Sequence, residues 1–180
     1  MKKPRSKYST SNLVPMFRKA ATLRNEMLAS DFTDNGGAIH SAERILDILG
    51  QRLNYPNLSH INKLRHDPNA EFSSTALEAY QKGEKVLIEH VSPVRDFTRN
   101  AIAKLDDGAT NKQFLDFVRK KYRLVLLTPE ETKHLNKINR SKMTPDRLGQ
   151  AGIGIVPAHR KSCPLQLQAT APSLRRRYRS

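Results

Sequence analysis

The most chemically suggestive run in the chain is Glu89-His90-Val91-Ser92-Pro93. It puts a carboxylate beside an imidazole at the end of the short apolar stretch Val86-Leu87-Ile88. A neutral imidazole can take up a proton near pH 7, the elementary act of general-base catalysis. The same run also reads as a strand-end histidine hydrogen-bonded to Glu89 or to backbone, because half-buried polar groups find partners. The remaining chemistry-bearing residues are more scattered. His40, His60, His66 and His159 fall in separate segments, without the i, i+4 pairing of helical metal sites, and read as loop or surface residues. Cys163, the one cysteine, lies between Ser162 and Pro164; it excludes an internal disulfide framework and a cysteine-rich zinc site. Asp106-Asp107-Gly108 reads as turn chemistry rather than a carboxylate pair.

Glu89-His90-Val91-Ser92-Pro93 resembles the first motif of the HNH, or ββα-metal, nucleases, which reads Asp/Glu-His-x-x-Pro. Leu124 to Leu127, followed by Thr128 to Asn136, is similar to that family's strand-then-helix element. The resemblance is limited to residues 89–93 and 124–136. It implies a metal-dependent endonuclease in which His90 is the general base that activates water and Glu89 contacts the metal. His134 or Asn136 would be the further metal ligand. The implied cofactor is one Mg²⁺ or Mn²⁺ ion, stabilising charge on the scissile phosphate.

A second kind of chemistry is cationic. Arg119, Lys120, Lys121 and Arg123 close one predicted helix, and Lys133, Lys137, Arg140 and Lys142 follow along the next. Lys133, Lys137 and Arg140 stand at i, i+4 and i+7, on one face opposite Leu135 and Ile138. Such a face suits a helix resting against a nucleic-acid backbone, and it equally describes an ordinary solvated helix surface. Tyr122 and Tyr178 are candidates for stacking on bases. With 6% aromatic residues and no Trp, however, a single-strand stacking platform is not supported.

These residues must be positioned by a small core, since 37% of residues are apolar and 27% charged, with mean hydropathy −0.65. Helical spacing of Met16, Ala20, Leu23, Met27 and Leu28 predicts a helix near 13–29, with Pro15 in its first turn. Ile39, Ala42, Ile45, Leu46, Leu49 and Leu53 predict a second, over 39–53. Leu58, Ile61 and Leu64 suggest a short helix closed by Asp67-Pro68-Asn69, and Thr75 with Glu78 has the form of a capping box for a helix ending at Gly83. Residues 86–91 and 124–127 read as strands. Ser92-Pro93 starts a helix to about Leu105, and Thr110 caps one ending at Arg119-Lys120-Lys121. Thr128-Pro129-Glu130-Glu131 is the clearest start signal: hydroxyl cap, proline at the first position, acids in the first turn. Thr144-Pro145-Asp146 opens a last short helix that Gly152 stops. The expected fold is mainly α (α+β), about six short helices with a minor two-stranded β element. The expected organisation is a basic arm at 1–12, a globular domain at 13–152 and a basic, proline-containing arm at 153–180.

Charge distribution decides the class of partner. The 180 residues carry a net +15. Residues 1–24 hold seven bases and no acid, and residues 147–180, which include Arg175, Arg176 and Arg177, hold seven bases and no acid. The 122 residues between them are nearly neutral, with 18 bases against all 17 acids. Like charges disfavour compaction, whereas a polyanion rewards cationic arms through counterion release. The expectation is a small nucleic-acid-binding protein, for DNA or RNA, gripping phosphates with little base readout. A module that binds an acidic protein or ribonucleoprotein fits the same arms. No apolar run reaches 18 residues, the first fifteen residues lack the apolar stretch expected of a secretory signal, and neither arm has the apolar clusters of a membrane anchor. A cytoplasmic protein of bacterial or phage origin is expected, without a membrane partner.

Overall fold

The computed structural model describes residues 8–67 and 69–157. His159, Cys163, Arg175, Arg176, Arg177 and Tyr178 lie outside the described residues. The chain is mainly helical, of the α+β class. The helices are α1 (Thr10–Ala29), α2 (His40–Asn54), a 3-10 helix (Ile61–His66), α3 (Ser74–Gln81), α4 (Val94–Asp106), α5 (Asn111–Lys121), α6 (Pro129–Ile138) and α7 (Arg147–Gln150). The strands are β1 (Glu71–Ser73), β2 (Leu87–His90), β3 (Leu124–Leu127) and β4 (Ile155–Pro157), forming one sheet in the order β2-β3-β1-β4. Among the described residues, no helix is long and apolar enough to cross a membrane.

The two strands expected from sequence form an antiparallel pair, with Leu87 opposite Leu127 and His90 opposite Leu124. β1 and β4 extend the sheet to four strands. Each is only three residues long, too short to reveal an alternation. β4 pairs antiparallel with β1, Phe72 facing Val156, so regular structure continues past residue 152 into the expected arm.

β3 explains why the sheet holds together. All four of its residues are buried, and alternate side chains go to opposite faces. Leu124 and Leu126 join the larger core, which gathers apolar residues of α1 to α5 and includes the stacked rings of Phe17 and Phe114, 5.1 Å between centroids. Val125 and Leu127 meet Leu135 of α6 and Leu148, Ala151 and Ile153 in and after α7. The sheet therefore separates two unequal helical layers.

Helix starts follow local chemistry, with corrections. Thr110 with Gln113, and Thr128 with Glu131, form complete capping boxes. The box expected from Thr75 and Glu78 does not form. Ser73 accepts from Ala76 N instead, and donates to Glu131 Oε2 at 2.7 Å. Ser92 does not cap α4; its Oγ donates to the Lys121 carbonyl. α1 begins at Thr10, so Pro15 sits inside it rather than in its first turn.

Candidate functional site

Glu89 and His90 are neighbours in sequence, but the pleat of β2 separates them. Glu89 stands opposite Val125 and His90 opposite Leu124, so their side chains leave the sheet on opposite faces. β2 is an edge strand, and both residues still reach the rim of one cleft at its end.

On the α2 side, His90 Nε2 lies 3.1 Å from Asp47 Oδ1, and the Tyr122 hydroxyl donates to the same oxygen at 2.7 Å. The expectation that His90 bonds Glu89 or backbone is therefore corrected: its ring partner is Asp47, which alternation makes reachable and Glu89 not. The His90 ring meets Tyr122 edge-on, 5.6 Å between centroids. Burial pushes the Asp47 carboxyl up, but hydrogen bonds from His90 and Tyr122 outweigh it and hold the group below its ordinary value. Burial, reinforced by the Asp47 charge, drives the Tyr122 hydroxyl well above its ordinary value. Tyr122 is 4% exposed and packed into this network, so it offers no face for a base to stack on.

On the α6 side the organising residue is Arg147, 1% exposed. Its Nη1 donates to the His90 carbonyl at 2.7 Å and to Glu89 Oε1 at 3.3 Å. Nη2 reaches Glu89 Oε1 and Asn136 Oδ1, each at 3.4 Å, and Nε donates to the Asn139 carbonyl at 2.9 Å. One guanidinium thus ties β2, α6 and the segment after α6 together. A buried arginine demands such partners, because an unpaired charge out of water is costly.

This arrangement does not fit the divalent ion that the HNH resemblance implies. Glu89 Oε1 and Asn136 Oδ1 already accept from Arg147, and a cation placed between them would be repelled by the guanidinium. His134 is exposed on α6 and does not line the cleft. Among the described residues, no group of three or more His, Cys, Asp or Glu is placed to hold a metal. Of the three residues for which the resemblance implies metal roles, Glu89 and Asn136 converge, but around Arg147, and His134 stands apart from them.

The cleft has a volume of about 460 Å³ and is lined by Glu43, Glu89, His90, Arg95, Asn136 and Arg140, among others. Arg95 Nε binds Glu43 Oε1 at 2.9 Å, and its Nη1 donates to Asn35 Oδ1. Arg140 has no acid partner among the described residues.

The predicted cationic residues divide into two groups. Arg123 is committed to Glu71 at 2.6 Å, and Arg119 lies 3.5 Å from Asp116. Lys120, Lys121, Lys133, Lys137, Arg140 and Lys142 are exposed, with no ion pair among the described residues. α6 ends at Ile138, so Arg140 and Lys142 follow the helix rather than continue its face, and Ile138 is 46% exposed rather than buried opposite the lysines. The terminal charge blocks are also partly structural. Arg18 donates to Asn111 Oδ1 at 2.9 Å and Arg24 binds Asp34 at 2.7 Å. Arg147 is the buried anchor already described.

Asp47 and Arg147 were not identifiable as site residues from sequence. Asp47 sits between Leu46 and Ile48 in α2, and a carboxylate inside an apolar stripe is the one hint it leaves. Arg147 is the first base of an acid-free tail, and a charge count gives a buried arginine and a solvated one the same weight. Comparison of the chain with protein-family models, curated proteins and solved structures finds no match.

Proposed function

We propose that the protein binds nucleic acid through the phosphate backbone, using the exposed cations on and after α6. The observation that carries this reading is a run of charge without counter-charge. From Thr132 to Pro145 the chain holds Lys133, Lys137, Arg140 and Lys142 and no acid, and all four are exposed without an ion pair among the described residues. Elsewhere the fold satisfies several of its arginines internally, Arg24 with Asp34, Arg95 with Glu43 and Arg123 with Glu71. Cations left over by that pairing are what a polyphosphate would meet. Lys120 and Lys121 belong to the same reading: Ser92 holds the Lys121 carbonyl, and Pro93, next in the chain, lines the cleft that Arg140 also lines. Backbone contacts of this kind position a protein without reading sequence.

The test is binding of random-sequence DNA and RNA by fluorescence anisotropy across a range of salt. The expected result is affinity that falls linearly with the logarithm of salt concentration, by about 0.9 per phosphate neutralised on duplex DNA. Failure to bind either nucleic acid at low salt overturns the reading. Salt-tolerant capture of a single acidic protein instead would replace it with the interaction-module alternative.

A further inference from the structure

The cleft at the end of β2 has a charge balance that its lining alone does not show. Its two carboxylates, Glu43 and Glu89, are each engaged by a guanidinium, from Arg95 at 2.9 Å and from buried Arg147 at 3.3 Å. Arg140 on the same wall has no acid partner among the described residues. The lining itself holds two arginines and two carboxylates; with buried Arg147 counted behind the wall, three guanidinium groups surround the two carboxylates, and one positive charge remains over. Asn136 and Ser141 add neutral hydrogen-bonding groups, and the volume of about 460 Å³ lies in the range of small-ligand clefts, ~300–1,000 Å³.

A divalent ion is disfavoured there. Between Glu89 and Asn136 it would meet the Arg147 guanidinium, which already donates to Glu89 Oε1 and Asn136 Oδ1 and would repel it. An anion needs the opposite, a site with surplus positive charge whose carboxylates are already neutralised.

We propose that this cleft seats one phosphate group of the bound nucleic acid directly, with no bridging metal ion. Arg140 meets the phosphate, His90 lines the wall beside it, and Arg147 occupies from behind the position between Glu89 and Asn136 that a metal would require. The inference rests on the nucleic-acid reading above and adds to it a specific subsite and a metal-free mode of binding. His90 is held for this task by Asp47, which fixes its ring from the α2 side and leaves the sequence-adjacent Glu89 to Arg147.

The experiment uses the full chain and a fluorescent single-stranded oligonucleotide, at matched ionic strength, in EDTA and in Mg²⁺. A parallel titration follows Mn²⁺ by electron paramagnetic resonance, and imidazole NMR signals follow His90. The expected affinity is the same with and without Mg²⁺, no stoichiometric Mn²⁺ binds, and the His90 ring signals shift as oligonucleotide is added. Arg140→Ala should weaken binding several-fold and lower the salt slope by roughly 0.7 for a single strand. Lys82→Ala, at the far end of α3, should have a smaller effect. Tight Mn²⁺ binding that oligonucleotide affinity depends on would overturn the metal-free site. Binding in which Arg140→Ala behaves like Lys82→Ala and His90 does not shift would overturn the cleft while leaving nucleic-acid binding intact. No binding by the unmodified chain would overturn the nucleic-acid reading itself.

Discussion

At the scale of single residues, two ion pairs carry unequal weight. Arg147 is almost wholly buried and bonds Glu89, Asn136 and two carbonyls, so replacing it strands several partners at once. Arg147→Met should cost about 3–5 kcal/mol, the range for breaking a buried pair from one side, as measured by urea unfolding. Adding Glu89→Gln should recover part of that loss, because the orphaned carboxylate is then gone. Should Arg147→Met unfold at the same urea concentration as the parent, the anchoring role is refuted. The second pair belongs to Asp34, which hydrogen-bonds both Arg24 and Arg99 at 2.7 Å. The hydrogen bond from Arg24, aided by Arg99 and opposed by burial, lowers its carboxyl from 3.8 to about 2. A depressed folded value stabilises above the unfolded one, so the contribution is present above about pH 4 and disappears as pH falls toward 2. A tenfold change in proton affinity between the folded and unfolded chain is worth ~1.4 kcal/mol, so the carboxylate contributes on the order of 2 kcal/mol. Thermal melts of Asp34→Asn and the parent should therefore differ near neutrality and converge near pH 2. A gap that stays constant down to pH 2 would show that Asp34 acts through packing rather than charge.

At the scale of elements, Gly50 shows how tertiary context overrides propensity. It lies in the interior of α2, where replacing glycine by alanine ordinarily stabilises a helix by about 1 kcal/mol. Here a Cβ would overlap the Tyr122 ring, which is itself fixed by its bond to Asp47. Gly50→Ala should instead destabilise by about 1–3 kcal/mol, as overpacking does, and a rise in melting temperature would contradict the close approach of α2 to Tyr122. The capping of α6 leads to a complementary expectation. Glu131 accepts from the Thr128 backbone N and from Ser73 Oγ, so one carboxylate joins the start of α6 to β1. Thr128→Ala should cost roughly 0.5–2 kcal/mol by circular dichroism melts, and no loss would mean the cap is replaced by water. These elements also show what sequence made legible. Hydroxyl-proline-acid chemistry at Thr128 and the unbroken apolar run at β3 are local signals, and both α6 and β3 stand where they predict. β1 and β4 have no local signal, because three-residue strands exist only through pairing with each other and with β3. The cap at Ser73 was hidden behind the more obvious Thr75 for the same reason: its choice depends on Glu131, distant in sequence and close in space. Of the site, His90 and Glu89 were visible as chemistry. Their partners Asp47 and Arg147 were not, since partnership across a sheet is a property of the fold.

At the scale of the molecule, the excess charge divides between holding the fold and facing outward. Arg18, Arg24, Arg95, Arg123 and Arg147 are drawn into internal bonds, while Lys133, Lys137, Arg140 and Lys142 stay exposed and without ion pairs among the described residues. If the exposed set exists for phosphate contact, its removal should change binding and leave folding almost untouched. A chain with all four changed to Ala should melt within about 0.5 kcal/mol of the parent, as surface changes usually do. Its salt slope on duplex DNA should fall by as much as ~3.6, four contacts at ~0.9 each. The triple change Arg175→Gln, Arg176→Gln and Arg177→Gln removes three tail charges and should lower the slope by up to ~2.7 if the tail shares the backbone. Comparing the two variants assigns the grip. A loss confined to the tail variant would mean that the exposed run after Thr132 is a solvated surface and that phosphate is held by the C-terminal arm alone. A loss confined to the α6 variant would place the grip on the folded domain, next to the cleft that Arg140 lines. Comparable losses in both, roughly additive in the combined variant, are the expected outcome, because counterion release depends on the number of phosphates neutralised and not on which element supplies the cation.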